Sequence, residues 1–250
     1  MRNTLLVAMA VTFNSRNMKM QASMLGNFIK DDSTQGREDL HQWTKRLTPC
    51  VIANYDVNRS FSLHAFYKKM FRMPTFNDLY YTDIGNIRLR PEYASQFDLG
   101  ARLRIAGPLS FEVNADVYHN RITDKILAVP KGNSQYRWMM MNIGKVHING
   151  LDISGNVASK NAEDADAFSY GLRIAYTYQR AMDMSDPSDN GPRGTYKGQI
   201  SYIPRHSGSV IVNAGFHGWS ACYSFIYVGE RYHVSANIAE NYEPSWYTHD

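Results

Sequence analysis

The 250-residue chain contains no apolar run near the ~18 residues a spanning helix needs, and its mean hydropathy is −0.44. A helical membrane protein is thereby excluded. Cysteine is scarce: Cys50 and Cys222 lie far apart and form neither a CxxC pair nor a Cys/His ligand spacing, so neither a zinc site nor a disulfide framework is indicated. They read as two isolated small side chains, with a bridge between them left open. A charge excess is also small, at +4 from 27 Lys+Arg against 23 Asp+Glu, and the basic residues form no block that would track a phosphate backbone. Nucleic acid is not an expected partner. Nor is this a disordered tail, since 44% of residues are hydrophobic and 20% charged.

Aromatic residues, by contrast, are plentiful. They reach 13%, with Tyr 17 and Phe 11 against Trp 4, a balance that favours strands. Strict alternation of side-chain character supports this, because successive side chains of a strand point to opposite faces. Phe97, Leu99, Ala101, Leu103 and Ile105 alternate with Asp98, Gly100, Arg102 and Arg104. After a tight Gly107-Pro108 turn, Leu109, Phe111, Val113, Ala115 and Val117 alternate with Ser110, Glu112, Asn114, Asp116 and Tyr118, completing a hairpin. The pattern recurs at 5–13, 18–28, 47–55, 61–68, 168–179, 210–216 and 219–227. A further strand near 143–158 changes face around Asn149-Gly150, where a bulge is expected.

One face of these strands carries no charge. The other holds Lys19, Lys68, Asp98, Arg102, Arg104, Glu112, Asp116 and Arg173. The uncharged face suits hydrocarbon, where a mid-depth Lys or Arg costs ~2–4 kcal/mol, and the other is too polar for a dry sandwich interior. Segments of about 9–12 residues match tilted membrane strands better than soluble ones. Short connections near Asn14-Ser15, Asn58, Gly107-Pro108 and His217-Gly218 alternate with long ones at 31–44, 71–92, 123–137, 183–203 and 231–244, as in an outer-membrane barrel. Tyr80-Tyr81, Tyr136-Trp138 and Tyr242-Trp246-Tyr247 suit an interfacial girdle. Residues 1–11 mimic a short signal peptide with Ala8-Met9-Ala10 as the cleavage site, but their alternation favours a strand.

Four motifs then occur in order. Phe71-Arg72-Met73-Pro74-Thr75-Phe76-Asn77-Asp78-Leu79-Tyr80 is followed by Asn86-Ile87-Arg88-Leu89-Arg90-Pro91-Glu92. Asn142, Gly144, Gly150 and Asp152 form the second, Tyr202, Pro204 and His206 the third, and Tyr227, Gly229, Arg231 and Tyr232 the fourth. Over residues about 60–250 the chain resembles the barrel of TonB-dependent outer-membrane receptors. Asp152 stands where that family has Glu, a carboxylate shorter by one methylene.

The resemblance implies an all-β fold, an antiparallel transmembrane β-barrel present in part, with about eleven of about 22 strands. Residues 1–250 are expected to be barrel throughout, with no plug domain and no TonB box, as a fragment running toward the C-terminal end in which Trp246 opens a further strand. The implied role is energised uptake of a scarce ligand of the siderophore-iron, haem or cobalamin class, in the outer membrane of a Gram-negative bacterium. The implied partners are outer-membrane lipid, a plug domain, the TonB system and a small extracellular ligand. No catalysis, cofactor or metal is expected. Ligand-contact candidates on the long loops are Arg72, Tyr80, Tyr81 and Arg88; Arg102, Arg104, Glu112, Asp116 and Arg173 are expected to face the lumen or plug. Two other classes compete: a soluble β-rich glycan binder, and a small outer-membrane hydrolase. The second lacks a recognisable nucleophile motif, and His64 and His147 read as satisfied strand histidines.

Overall fold

The computed structural model describes residues 2–35, 38–82, 84–130, 138–159, 167–185, 195–234 and 236–250. The alternating segments form one antiparallel meander. Its strands are β1 (Arg2–Asn14), β2 (Met18–Gln35), β3 (Glu38–Asp56), β4 (Phe61–Arg72), β5 (Glu92–Ile105) and β6 (Leu109–Pro130), followed by β7 (Trp138–Ser159), β8 (Ser169–Asp183), β9 (His206–Phe216) and β10 (Trp219–Val228). After β10 come a two-residue pair, β11 (Arg231–Tyr232) and β12 (Tyr242–Glu243), and then β13 (Trp246–His249). The main sheet has 11 strands in the order β1 to β10 and then β13. The only α-helix among the described residues is α1 (Phe76–Tyr80), in the β4–β5 connection. Residues 2–14 are thus a strand, and β13 begins at Trp246 as expected.

Short turns explain one rim. Asn58 Oδ1 accepts hydrogen bonds from Ser60 N and Phe61 N, and His217-Gly218 closes its hairpin with positive φ at both residues (46° and 77°), the backbone twist that two-residue hairpins favour. Cross-strand pairing carries each face across the sheet. Arg104, Glu112, Asn156 and Arg173 form one row of the polar face, while Leu99, Val117, Leu151 and Tyr178 form one row of the apolar face. Apolar-face side chains stay open, with Met9, Val11, Leu99 and Val117 all about 60–70% exposed, as expected of a sheet whose outer solvent is lipid. Cys50 on β3 and Cys222 on β10 are free thiols on widely separated strands.

Three expectations are corrected. No bulge occurs at Asn149-Gly150: β6 and β7 keep one register from Leu109↔Ser159 to Pro130↔Trp138, and the only lapse is at Asp124, whose φ is +54°, opposite Gly144. Gly150 instead makes room for the Tyr118 ring directly across from it, which overlaps the site a Cβ would occupy. The stretch 31–44 is mostly ladder, because β2 and β3 pair out to Gln35↔Glu38. Likewise β6 and β7 reach 22 residues each, so 123–130 is strand rather than loop. Tyr136 and parts of the loops 123–137, 183–203 and 231–244 lie outside the described residues.

Candidate functional site

The β4–β5 connection is built by its own side chains. Pro74 is buried, and Thr75 caps α1 reciprocally: its Oγ1 accepts from Asp78 N at 3.1 Å while Asp78 Oδ2 accepts from Thr75 N at 2.9 Å. Arg72, at the end of β4, reaches Asp78 at 3.5 Å and Glu92 at 3.3 Å, and Glu92 also accepts from Ile126 N at 3.1 Å. One guanidinium therefore ties strand end, helix and β5 together. Asn142 does the same from β7. Its Oδ1 accepts from Arg90 N at 2.8 Å, and its Nδ2 donates to Arg90 O at 2.9 Å and Asp124 O at 2.7 Å. Asn86 Nδ2 donates to Met140 O at 3.0 Å, and Leu89 is buried between these anchors.

Of the four ligand-contact candidates, Arg72 is held in this ion-pair network and Tyr80 is half-buried, its ring stacked on Phe76 at 6.2 Å. Tyr81 and Arg88 are exposed.

The polar face carries a line of charge. Glu112 pairs with Arg104 at 3.0 Å and Arg102 at 3.5 Å, and Arg102 Nε donates to Asn114 Oδ1 at 2.8 Å. Arg173 shares the Glu112 row. Deeper along the strands His64 Nε2 lies 2.5 Å from Asp116 Oδ1 and 4.0 Å from Asp98 Oδ1. Asp152 is cross-strand from Asp116, and its Oδ1 is buried with no hydrogen-bond partner. Gly100 permits this crowding, since a Cβ there would overlap both His64 and Asp116. His64, Asp98 and Asp116 bring ligand atoms within 4.8 Å of one another, a grouping of the kind that holds a divalent cation. Sequence reasoning named only Asp116 of this trio as a site residue. The missed signal was positional: all three sit at polar-face positions of consecutive strands.

The family model "TonB dependent receptor-like, beta-barrel" matches residues 19–250. The chain belongs to this family. Vitamin B12 transporter BtuB of Photobacterium profundum is 24% identical over 190 residues, covering 73% of this chain and 27% of that protein. The Vibrio vulnificus BtuB is 34% identical over 83 residues, 33% of this chain and 13% of that protein. The chain therefore spans about a quarter or less of the length of these relatives. Among solved structures, the ferric citrate transporter FecA superposes with a TM-score of 0.74 at 14% identity, over 99% of this chain and 36% of FecA. The copper transporter OprC gives 0.76 at 12% identity, over 99% and 38%. Such likeness speaks for the fold. The chain's place is the outer membrane of a Gram-negative bacterium.

In this TonB-dependent receptor chain the motifs meet in pairs. Asn142 holds the backbone of Arg90 in the Asn86–Glu92 motif. Residues 200–205 leave the ladder between the Met182↔Gln199 bridge and the Tyr178↔His206 pair, so Ile200 and Ile203 pack on Val146, Ala181, Ile122 and Ile148. Tyr202 N then donates to Tyr232 O at 2.8 Å and Gly229 N to His206 O at 2.8 Å, joining the last two motifs. A Cβ at Gly229 would come within 2.7 Å of that same His206 carbonyl, so this close approach requires glycine. Gly144 is similarly filled by Ser185. Asn77 O accepts from Tyr81 N at 3.0 Å, Leu79 N donates to Thr75 O at 3.1 Å, and the Phe71 ring lies 6.4 Å from Tyr93. These motif residues mostly hold loops to strands.

Proposed function

We propose that this chain forms part of the wall and outer loops of a receptor that takes up a scarce, bulky ligand of the siderophore-iron, haem or cobalamin class, driven through the TonB system. Residues 1–250 then contribute barrel only, while the plug and the TonB contact lie elsewhere in the receptor. The observation that carries this reading is the fixing of the long β4–β5 loop to β6 and β7 by Arg72, Glu92 and Asn142, which presents Tyr81 and Arg88 on a rigid outer rim. Arg102, Arg104, Glu112, Asp116 and Arg173 line the lumen in this reading and position the plug; no bond is made or broken. Within that class we favour a corrinoid, a reading supported by the similarity to vitamin B12 transporters. The open apolar face argues against a soluble glycan binder, because an exposed patch of this extent aggregates in water.

Uptake decides the matter. Cells dependent on the receptor are expected to accumulate radiolabelled cyanocobalamin, a ferric siderophore or haem, and to lose at least tenfold of that accumulation on receptor deletion or addition of a protonophore. Accumulation of all three unchanged by deletion would overturn the proposal.

A further inference from the structure

The apolar face does not stay apolar to the long-loop rim. Directly above the row Leu99, Val117, Leu151 and Tyr178, the next row runs Tyr67, Phe97, His119, Asn149 and Arg180, and the one after it Lys69, Ser95, Arg121, His147 and Met182. A third row adds Lys145, opposite Thr123. Six basic or imidazole groups, Lys69, His119, Arg121, Lys145, His147 and Arg180, thus occupy three rows of five strands, and no Asp or Glu falls on this face in those rows. Lys69, Arg121, Lys145 and Arg180 are exposed, and among the described residues none of them has an ion-pair partner. Arg121 Nε donates to His147 Nε2 at 3.2 Å, and the His119 ring meets His147 edge-on at 5.7 Å, so the middle of the patch is braced.

The opposite end of the same face differs. On the same strands its last rows are Leu103, Val113, Gly155 and Ile174, then Ile105, Phe111, Val157 and Leu172, without a single charge. A general need for polar side chains at a membrane interface would show at both rims. Here positive charge gathers at one, where a side chain leaves hydrocarbon for the headgroups on the long-loop side. Lysine and arginine at that depth attract anionic headgroups, and arginine suits phosphate oxygens in particular through its paired donors.

We propose that this patch is a binding site for the phosphorylated headgroup of an outer-leaflet lipid, seated against β4–β8 with its acyl chains on the Leu99–Val117–Leu151 surface. Lys69, Arg121 and Arg180 supply the charge, with Lys145 above them and the two imidazoles between. The site faces away from the lumen, so nothing in it depends on which ligand is imported.

The test uses the receptor carrying this chain, purified in detergent, with bisphosphorylated lipid A as the probe and its dephosphorylated form as comparison. Binding to the phosphorylated lipid is expected to be at least tenfold tighter, and the triple variant Lys69→Gln, Arg121→Gln, Arg180→Gln is expected to abolish that difference. A polar-face control, Arg102→Gln with Arg104→Gln, is expected to keep it. Equal affinity for both lipids, or full discrimination in the triple variant, overturns the site. Displacement of the lipid by millimolar inorganic phosphate would also overturn it, by making free phosphate the ligand. Heat-modifiable gel migration reports folding. Should the triple variant fail to refold, a salt titration of the unaltered receptor decides: discrimination must fall steeply toward 1 M NaCl, and persistence there refutes the site.

Discussion

At the scale of single residues, the space around Gly150 is shaped by a neighbour. The Tyr118 ring fills the volume a Cβ would need, across one rung of the β6–β7 ladder. Gly150→Ala is therefore expected to destabilise the barrel by about 1–3 kcal/mol, the usual cost of overpacking. In a Tyr118→Ala background the same glycine change should cost much less, leaving a coupling of about 0.5–3 kcal/mol between the two positions. Guanidinium unfolding of detergent-held receptor, followed by tryptophan emission, measures both; additive effects of the two changes would refute the steric account. Sequence alone marked Gly150 as special but assigned it to a bulge, because which side chain lies across from a glycine is a matter of register. At Asp152 the sequence shows a carboxylate shorter than the Glu of the family pattern, and in the structure one of its oxygens is buried without a hydrogen bond. The His64–Asp116 pair was hidden for the same reason as Tyr118: the residues are 52 positions apart in the chain and meet only once β4, β5 and β6 are in register.

At the scale of elements, alternation revealed which segments are strands but not where they stop. Within hydrocarbon the two faces meet different solvents, so the period of two is sharp. Above it both faces meet water or loops and the contrast fades, as in Asp31-Asp32 of β2, which the sequence reading left as loop although it pairs with β3. The packed β4–β5 loop has an internal logic that can be perturbed. Asn142 makes three hydrogen bonds to Arg90 and Asp124, and Asn142→Ala removes them at a net cost of about 0.5–1.5 kcal/mol each. Trypsin cleavage after Arg88 is the readout. It is expected to accelerate by about tenfold, corresponding to a loosening of about 1.4 kcal/mol, while the global unfolding midpoint moves little because the ladder itself is untouched. Equal cleavage rates in the two proteins would show that Asn142 does not fasten the loop.

At the scale of the whole molecule, eleven-strand topology was readable because each strand of the main sheet pairs with the next strand of that sheet along the chain, β13 following β10 past the small β11–β12 pair, so chain order and sheet order coincide. What period-two alternation cannot supply is the identity of the solvent on the apolar face, since a soluble sheet alternates as well. A single pair of charges resolves it. Leu99 is 61% exposed on the apolar face, level with Val117, and Ser154 is exposed on the polar face. In water, Leu99→Arg at so open a position would change stability by no more than about 0.5 kcal/mol. In a bilayer the same substitution is expected to cost ~2–4 kcal/mol, because the guanidinium replaces leucine against hydrocarbon. Ser154→Arg, on the wet face, is expected to stay within about 1 kcal/mol, which covers its repulsion from nearby arginines. Unfolding measured in lipid vesicles supplies both numbers under one condition. A large penalty at 99 with a small one at 154 fixes the apolar side as the lipid side; the reverse ranking would turn the wall inside out and move the charged line of Arg102, Arg104 and Glu112 out of the lumen.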